Sequence, residues 1–385
     1  MQAVNIEDLR RAARRKLPKA VFDFLDGGAM DEETLRANRG DFEAFRFLPK
    51  TLVDVSERSQ SVQVLGQELA TPLILAPTGL TGLFGPGGEL AAARAARAAG
   101  AGYCVSTMAT TSVEDLAKEV PGFWFQLYIQ RDRGITEALV ERAAAAGCPL
   151  LCVTVDLAIQ GQRERDLRNG FAVPPKITPA NALDYLSRPA WLKRVLTGPP
   201  INFANFAHIE SRRFDLTTLV HYIAEQFDPS VTWQDIDWLK SIWPGKLAIK
   251  GILSAEDARR AAEYGADAVI VSNHGGRQLD GASSSIAALP AVVEAVGERI
   301  EVLIDGGIRR GGDVVKALAL GARACLIGRA FLYGLAADGE AGVGRTLEIL
   351  TGEIDSVQAL IGCPDLGEID RSFLAEAQRP WPANR

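Results

Sequence analysis

The chain has 385 residues, of which 47% are hydrophobic and 23% charged, so it can bury a full core and does not read as disordered. Its 48 acidic and 42 basic residues leave a net charge of −6, which argues against nucleic acid as a general partner. Cys104, Cys148, Cys152, Cys325 and Cys363 form no metal-type CxxC pair and are odd in number, so reduced thiols in a cytosolic protein and no metal site are expected.

The opening MQAVNIEDLRRAARRK lacks the apolar stretch of a signal peptide, and no apolar run approaches the roughly 18 residues of a membrane span. Residues 1–60 read as an N-terminal helical segment. Asn5 with Asp8 makes a cap, Pro18 starts a second helix that Gly27-Gly28 breaks, and Asp31 opens a third through LRANRGDFEAF. The basic cluster Arg10 to Lys19 reads as a solvated helix face.

From residue 72 a rhythm sets in, with short apolar runs that end in polar or glycine residues and Ala-rich helical stretches between them. The runs are Pro72–Gly79, Gly102–Thr107, Phe123–Tyr128, Pro149–Asp156, Lys246–Gly251, Ala268–Asn273, Val302–Gly307 and Ala324–Arg329. Helical patterns cover 87–99, 112–118, 133–147, 255–264, 286–297, 311–321 and 340–361. Eight such units are the number that closes a (β/α)8 TIM barrel, here one domain over 1–385, with a doubly wound open sheet as the alternative. The fourth interval is far longer than the rest. Residues 157–245 therefore read as an insertion, a lid with one helix of its own, whose aromatic and basic residues around 177–215 also suit a membrane surface. His208 and His221 fall there and read as structural or surface histidines.

In a barrel the C-terminal strand ends share one mouth. They carry Pro77, Thr78 and Gly79; Ser106 and Thr107; Gln126 and Tyr128; Thr154 and Asp156; Lys250; Ser272 and His274; Asp305; Gly328 and Arg329. That set is too polar for a packed core. His274, one of three histidines, is the one beside glycines, within SNHGGRQLD. The turns DGGIRRGG and IGR lead into helices, where free N–H groups, Arg309 and Arg329 would bind phosphate. Lys250, among apolar residues, needs an anionic partner or a lowered pKa, and fits either a Schiff-base lysine or a fixed cation beside a cofactor.

Together SNHGGRQLD, DGGIRRGGDVVKALALGA, the lysine of LAIKG, FQLY and VTVD with GQRERD resemble the FMN-dependent L-2-hydroxy-acid-oxidising family, which includes glycolate oxidase, flavocytochrome b2, L-lactate dehydrogenase and (S)-mandelate dehydrogenase. The likeness runs from LPKAVFDFLDGGAMDEETL to IGCPDL, and WFQLY, GQRERDLRNGF, LSAEDA and LYGLAA look most like the mandelate branch. It implies FMN as cofactor and His274 as the base that takes a proton from a small 2-hydroxy acid. Asp156 would orient that ring, Arg277 and Arg163 would clamp the carboxylate, and Tyr128 would hydrogen-bond the substrate. Lys250 would lie by the flavin N1/O2 edge. Pro77, Thr78, Gly79, Ser106, Gln126, Thr154 and Ser272 would hold the ring system, Asp305 the ribityl chain, and Gly307, Arg309, Gly328 and Arg329 the phosphate.

The resemblance further implies a homotetramer or octamer in the cytoplasm, or peripheral on the inner face of the membrane, with electrons passed to a quinone or to O2. Three positions point to a reshaped pocket. Phe24 stands where the family usually has a tyrosine that helps hold the carboxylate, Met108 stands where glycolate oxidase has a tryptophan, and Gly79 leaves space above the flavin, which leans towards a dehydrogenase. A true oxidase, a phosphate-binding barrel aldolase or isomerase using Lys250, and a flavin-binding scaffold are the competing readings.

Overall fold

The computed structural model describes residues 2–173, 175, 177–179, 181–206 and 225–376. Eight parallel strands close into a barrel: β1 (Leu73–Leu75), β2 (Gly102–Ser106), β3 (Trp124–Leu127), β4 (Leu150–Thr154), β5 (Lys246–Ile252), β6 (Ala268–Val271), β7 (Glu301–Asp305) and β8 (Cys325–Ile327). The cylinder is sealed where β8 pairs with β1, Leu326 opposite Ile74, and where β6 pairs with β7, Ile270 opposite Leu303. The chain thus forms the (β/α)8 barrel, and each of the eight apolar runs holds one strand. Continuous burial explains the pattern: β6 is AVIV with every residue buried, because the barrel interior covers one face and helices the other.

Helices Gly88–Ala98, Val113–Glu119, Arg133–Ala145, Trp233–Ile242, Ala255–Glu263, Ser285–Val296 and Gly311–Ala319 make the outer ring. Several start at serines: Ser112, Ser254 and Ser284 accept the N–H of Asp115, Asp257 and Ala287. The last helix, Arg329–Ile361, begins directly after β8 and is interrupted by non-helical backbone at Asp338 and Gly339, so its second part matches the expected 340–361.

The barrel interior is apolar towards the N-terminal ends of the strands. There Ile74, Cys104, Trp124, Cys152, Ala248, Ile270, Leu303 and Leu326 pack together. A hairpin that the sequence reading missed, Val62–Val64 with Gln67–Leu69, plugs this end with Val64, Leu65 and Leu69. Its Gln67 side chain accepts the Trp124 indole N–H at 2.6 Å.

At the N-terminus, α1 (Ile6–Lys16) starts at Asn5, whose side chain accepts the Asp8 N–H at 2.9 Å as expected, and α2 (Lys19–Asp26) follows Pro18 and ends at Gly27. The third helix, α3 (Glu33–Gly40), is shorter than expected. FEAF does not continue it, because Asp41–Ala44 tightens into a 3-10 turn and Phe45–Phe47 pairs as a strand with Leu374–Glu376.

The insertion also differs from a lid with one helix. Its described residues form Glu164–Arg168, Ala182–Leu186 and Pro189–Thr197, while Trp233–Ile242 serves as the crossover into β5. His208 and His221 lie outside the described residues.

Candidate active site

A cavity of about 560 Å³ opens at the C-terminal mouth of the barrel. Of the residues expected there, Phe24, Pro77, Thr78, Gly79, Ser106, Met108, Tyr128, Arg163, Lys250, His274, Arg277, Asp305, Gly307, Arg309, Gly328 and Arg329 all line it. Asp156, Gln126, Thr154 and Ser272 are not on that lining. Asp156 and Ser272 instead hold lining residues in place, and Gln126 does so through its Oε1, which accepts the Ser106 hydroxyl at 3.1 Å.

His274 follows β6 with φ of +59°, a left-handed conformation that is uncommon outside glycine. Its N–H donates to Ser272 Oγ at 3.0 Å, and its Nδ1 lies 2.9 Å from Asp156 Oδ1. Burial is the largest influence on Asp156 and opposes its charge, yet His274 and Lys250 hold its carboxyl below the usual range, so it is ionised. An ionised acceptor at Nδ1 requires that nitrogen to carry the proton, which leaves the lone pair on Nε2. Burial pushes the imidazole below 6.5 and outweighs the pull of Asp156, so the ring is neutral near pH 7 and can accept a proton.

Asp156, just after β4, packs closely against β5 where the register of β5 on β6 shifts. At Gly251, with φ of +111°, a Cβ would stand 2.7 Å from Asp156 Cβ, so only glycine fits. The ammonium of Lys250 donates to Ser272 Oγ at 2.8 Å and pairs with Asp305 Oδ2 at 2.9 Å. It therefore has the anionic partner that burial demands. Although burial works against the charge, Asp305 and Asp156 raise its pKa above the ordinary value, which favours a fixed cation over an amine nucleophile.

Two arginines line the same cavity as the imidazole. Arg277 donates to the carbonyls of Phe24 at 2.7 Å and Gly27 at 3.1 Å, and Arg163 leans on Gln278 Oε1 at 3.4 Å. Burial, then Arg163 and Arg329, push the Arg277 guanidinium well below its ordinary pKa. Burial likewise lowers Arg163 and takes Arg329 down to about 10. Several cations that depress one another around one cavity make a site for an anion, and planar guanidinium suits a carboxylate. Burial of the Tyr128 phenol raises its pKa, so it stays a donor.

Phe24 forms a wall rather than a hydrogen bond. Its ring stacks on Phe171 at 4.2 Å and lies 6.1 Å from Phe84, with Arg277 and Arg163 over its face at 5.1 and 6.0 Å. Phe171, Phe84, Phe203 and Val173 also line the cavity and were not singled out in the sequence, where they are scattered with no shared spacing. The space expected at Gly79 is partly taken: a methyl there would meet Met108 Cβ at 3.0 Å.

The phosphate end departs from expectation in one respect. At the start of the helix Gly311–Ala319 several N–H groups are already taken, since Asp313 accepts those of Arg309 and Arg310 and Glu353 accepts that of Gly311. The second expected helix start, after Gly328, has no side-chain cap and adjoins Gly307, Arg309 and Arg329 on the lining. Arg329 donates to Gly275 O and Gly27 O, both at 2.8 Å.

Five buried atoms around this cavity lack a partner among the described residues: Gln126 Nε2, Thr154 Oγ1, Asp156 Oδ2, Asp305 Oδ1 and Arg329 Nε. Donors and acceptors left open above a lysine–aspartate pair, next to an arginine-flanked helix start, fit a flat ring with polar edges and a phosphorylated tail, as FMN has.

A family model described as FMN-dependent dehydrogenase matches residues 13–376. The chain is 47% identical over 376 residues to an L-lactate oxidase of Nostoc sp. (96% of this chain, 98% of the relative) and 47% identical over 372 residues to an (S)-mandelate dehydrogenase of Pseudomonas putida (96% and 93%). A crystal structure of the monotopic membrane protein (S)-mandelate dehydrogenase superposes with a TM-score of 0.94 at 46% identity, covering 98% of this chain and all of that one.

Proposed function

This chain belongs to the FMN-dependent dehydrogenase family, with FMN as its cofactor, and from that premise we infer that it oxidises an L-2-hydroxy acid bearing an apolar side chain, mandelate- or lactate-like, to the 2-keto acid. The observation that carries this reading is the partly buried, neutral His274, held by ionised Asp156, on the same cavity as the Arg277 and Arg163 pair.

FMN, when bound, supplies a two-electron acceptor. The chain does the rest. Arg277 and Arg163 bind the substrate carboxylate with charge-assisted hydrogen bonds, and the Tyr128 phenol donates to the substrate oxygen. His274 Nε2 takes the proton from the C2 hydroxyl or from C2, and Asp156 stabilises the resulting imidazolium. Lys250 holds a positive charge beside the ring site, with Asp305 as its counter-ion. The apolar wall of Phe24, Phe84, Phe171 and Met108 suits a substrate side chain larger than hydrogen. Anaerobic titration of the yellow protein with glycolate, lactate, mandelate and longer 2-hydroxy acids should bleach the flavin with at least one of them. A flavin that none of them reduces sinks the reading.

The electrons pass to a quinone-type carrier at a membrane surface. No helix among the described residues is long and apolar enough to cross a bilayer. Yet Leu183, Leu186 and Leu196, at 83%, 63% and 71% exposure, lie on the insertion beside the exposed Lys193, an arrangement suited to peripheral contact with an anionic surface. The likeness to an L-lactate oxidase supports O2 as the alternative acceptor, and reoxidation of the bleached protein with O2 or with a quinone separates the two.

A further inference from the structure

The last turn of α2 meets three of the four arginines of the cavity and reaches the fourth through a tyrosine. The Gly27 carbonyl accepts from Arg277 Nη1 at 3.1 Å and from Arg329 Nη2 at 2.8 Å. One oxygen therefore joins the guanidinium at the carboxylate end to the guanidinium at the phosphate end. The Phe24 carbonyl takes a second bond from Arg277, and the Phe24 ring lies under both Arg277 and Arg163. Carbonyls at a helix C-terminus carry partial negative charge, which suits them to hold cations.

That turn is pinned in turn by Asp26, which is buried and lies off the cavity. Its Oδ1 accepts from Arg10 Nε at 2.6 Å and from Tyr333 Oη at 2.7 Å, while Oδ2 accepts from Arg10 Nη2 at 2.7 Å and Arg165 Nη1 at 3.5 Å. The ring of Tyr333 lies under the Arg309 guanidinium at 5.6 Å. One carboxylate thus ties together α1, α2, the insertion and the helix after β8.

We propose that Asp26 is a positioning residue. By fixing the α2 C-terminal turn it sets Arg277 and Arg329 together, so that the grip on the substrate carboxylate and the grip on the FMN phosphate change as one. The carboxylate half rests on the functional reading above; the phosphate half needs only bound FMN. Misplacement of a binding group by about 1 Å can cost up to about 10²-fold, so a modest shift of the turn is measurable at both ends.

The test uses the holoenzyme with Asp26→Asn, Tyr333→Phe and Arg10→Gln, and with Arg58→Gln as a control, because neither member of the Arg58–Asp355 ion pair lines the cavity. For Asp26→Asn the expected result is a rise of about tenfold in KM, a similar rise in the FMN dissociation constant, and an equal loss of preference for a 2-hydroxy acid over its neutral amide, with kcat falling less than KM rises. Tyr333→Phe and Arg10→Gln should move the same quantities less, and Arg58→Gln should move none.

Lowered thermal stability with unchanged KM, acid-over-amide preference and FMN affinity would overturn the proposal, and so would a change at one end alone. If Asp26→Asn does not fold, Tyr333→Phe decides, since it keeps the ring under Arg309 and removes one bond to Asp26. Should no 2-hydroxy acid reduce the wild-type flavin, the functional reading fails, while FMN affinity in the variants still reads the phosphate half.

Discussion

The two ends of the barrel are built by the same strands and have opposite chemistry. Two residues along a strand are enough to cross from one to the other: Cys104 gives way to Ser106, Trp124 to Gln126, Cys152 to Thr154, Ala248 to Lys250, Ile270 to Ser272 and Leu303 to Asp305. Since side chains alternate faces along a strand, each pair points the same way, into the barrel. The lower layer is hydrocarbon and sulfur, sealed by the Val62–Leu69 hairpin. The upper layer carries hydroxyls, an amide and an ion pair, several with atoms that no described residue satisfies. One end keeps the barrel closed, and the other spends that rigidity on holding charges where a ligand needs them.

Substitutions at the two ends should therefore fail in different ways. The largest effect belongs to the mouth: His274→Ala should keep the yellow colour and slow flavin reduction by about 10⁴-fold, the upper range of general-base catalysis. Stopped-flow reduction measures it, and near-normal turnover would remove His274 from the role of base. At the closed end, Leu303→Ala should cost about 2–5 kcal/mol of stability with little change in kcat. Denaturant unfolding checks the first half and steady-state kinetics the second; a large fall in kcat without loss of stability would erase the contrast.

A third expectation concerns pH. The folded pKa of His274 lies below 6.5, and the base must be unprotonated, so kcat/KM should be flat above that value. It should fall by about tenfold per unit once pH drops below the depressed pKa. A midpoint above 6.5 would mean that Asp156 outweighs burial. The smallest effect is at the wall between the ends of the site. Phe24→Tyr adds a donor near two arginines and should tighten binding of small hydroxy acids by several-fold, less than the 1.5–3 kcal/mol or so of an isolated hydrogen bond to a charged group. Unchanged KM across a substrate panel would place the new hydroxyl out of reach.

The strands were legible because each is a continuous apolar run that ends in a change of character, as in PLLCVTVD. The residues at those endings, His274 and Asp156 among them, could be read as one group as soon as a closed barrel was assumed. What escaped had weaker signals. The hairpin strands are three residues each, too short for any period to show. Asp313 is the third residue of its helix, a position from which a carboxylate caps its own N-terminus, and that signal was available in GGD but not used. The aromatic wall joins Phe24, Phe84 and Phe171 from three separate segments. The junction at Gly27 is a main-chain carbonyl, which every residue owns and no letter of the sequence marks.

The left-handed backbone of His274 has a cost that falls outside catalysis. A side chain at φ of +59° sits uphill of glycine by roughly 1–2 kcal/mol. Replacement of this histidine by glycine would abolish turnover yet leave a sturdier protein than replacement by alanine, so the pair of variants separates the strain of the backbone from the chemistry of the ring.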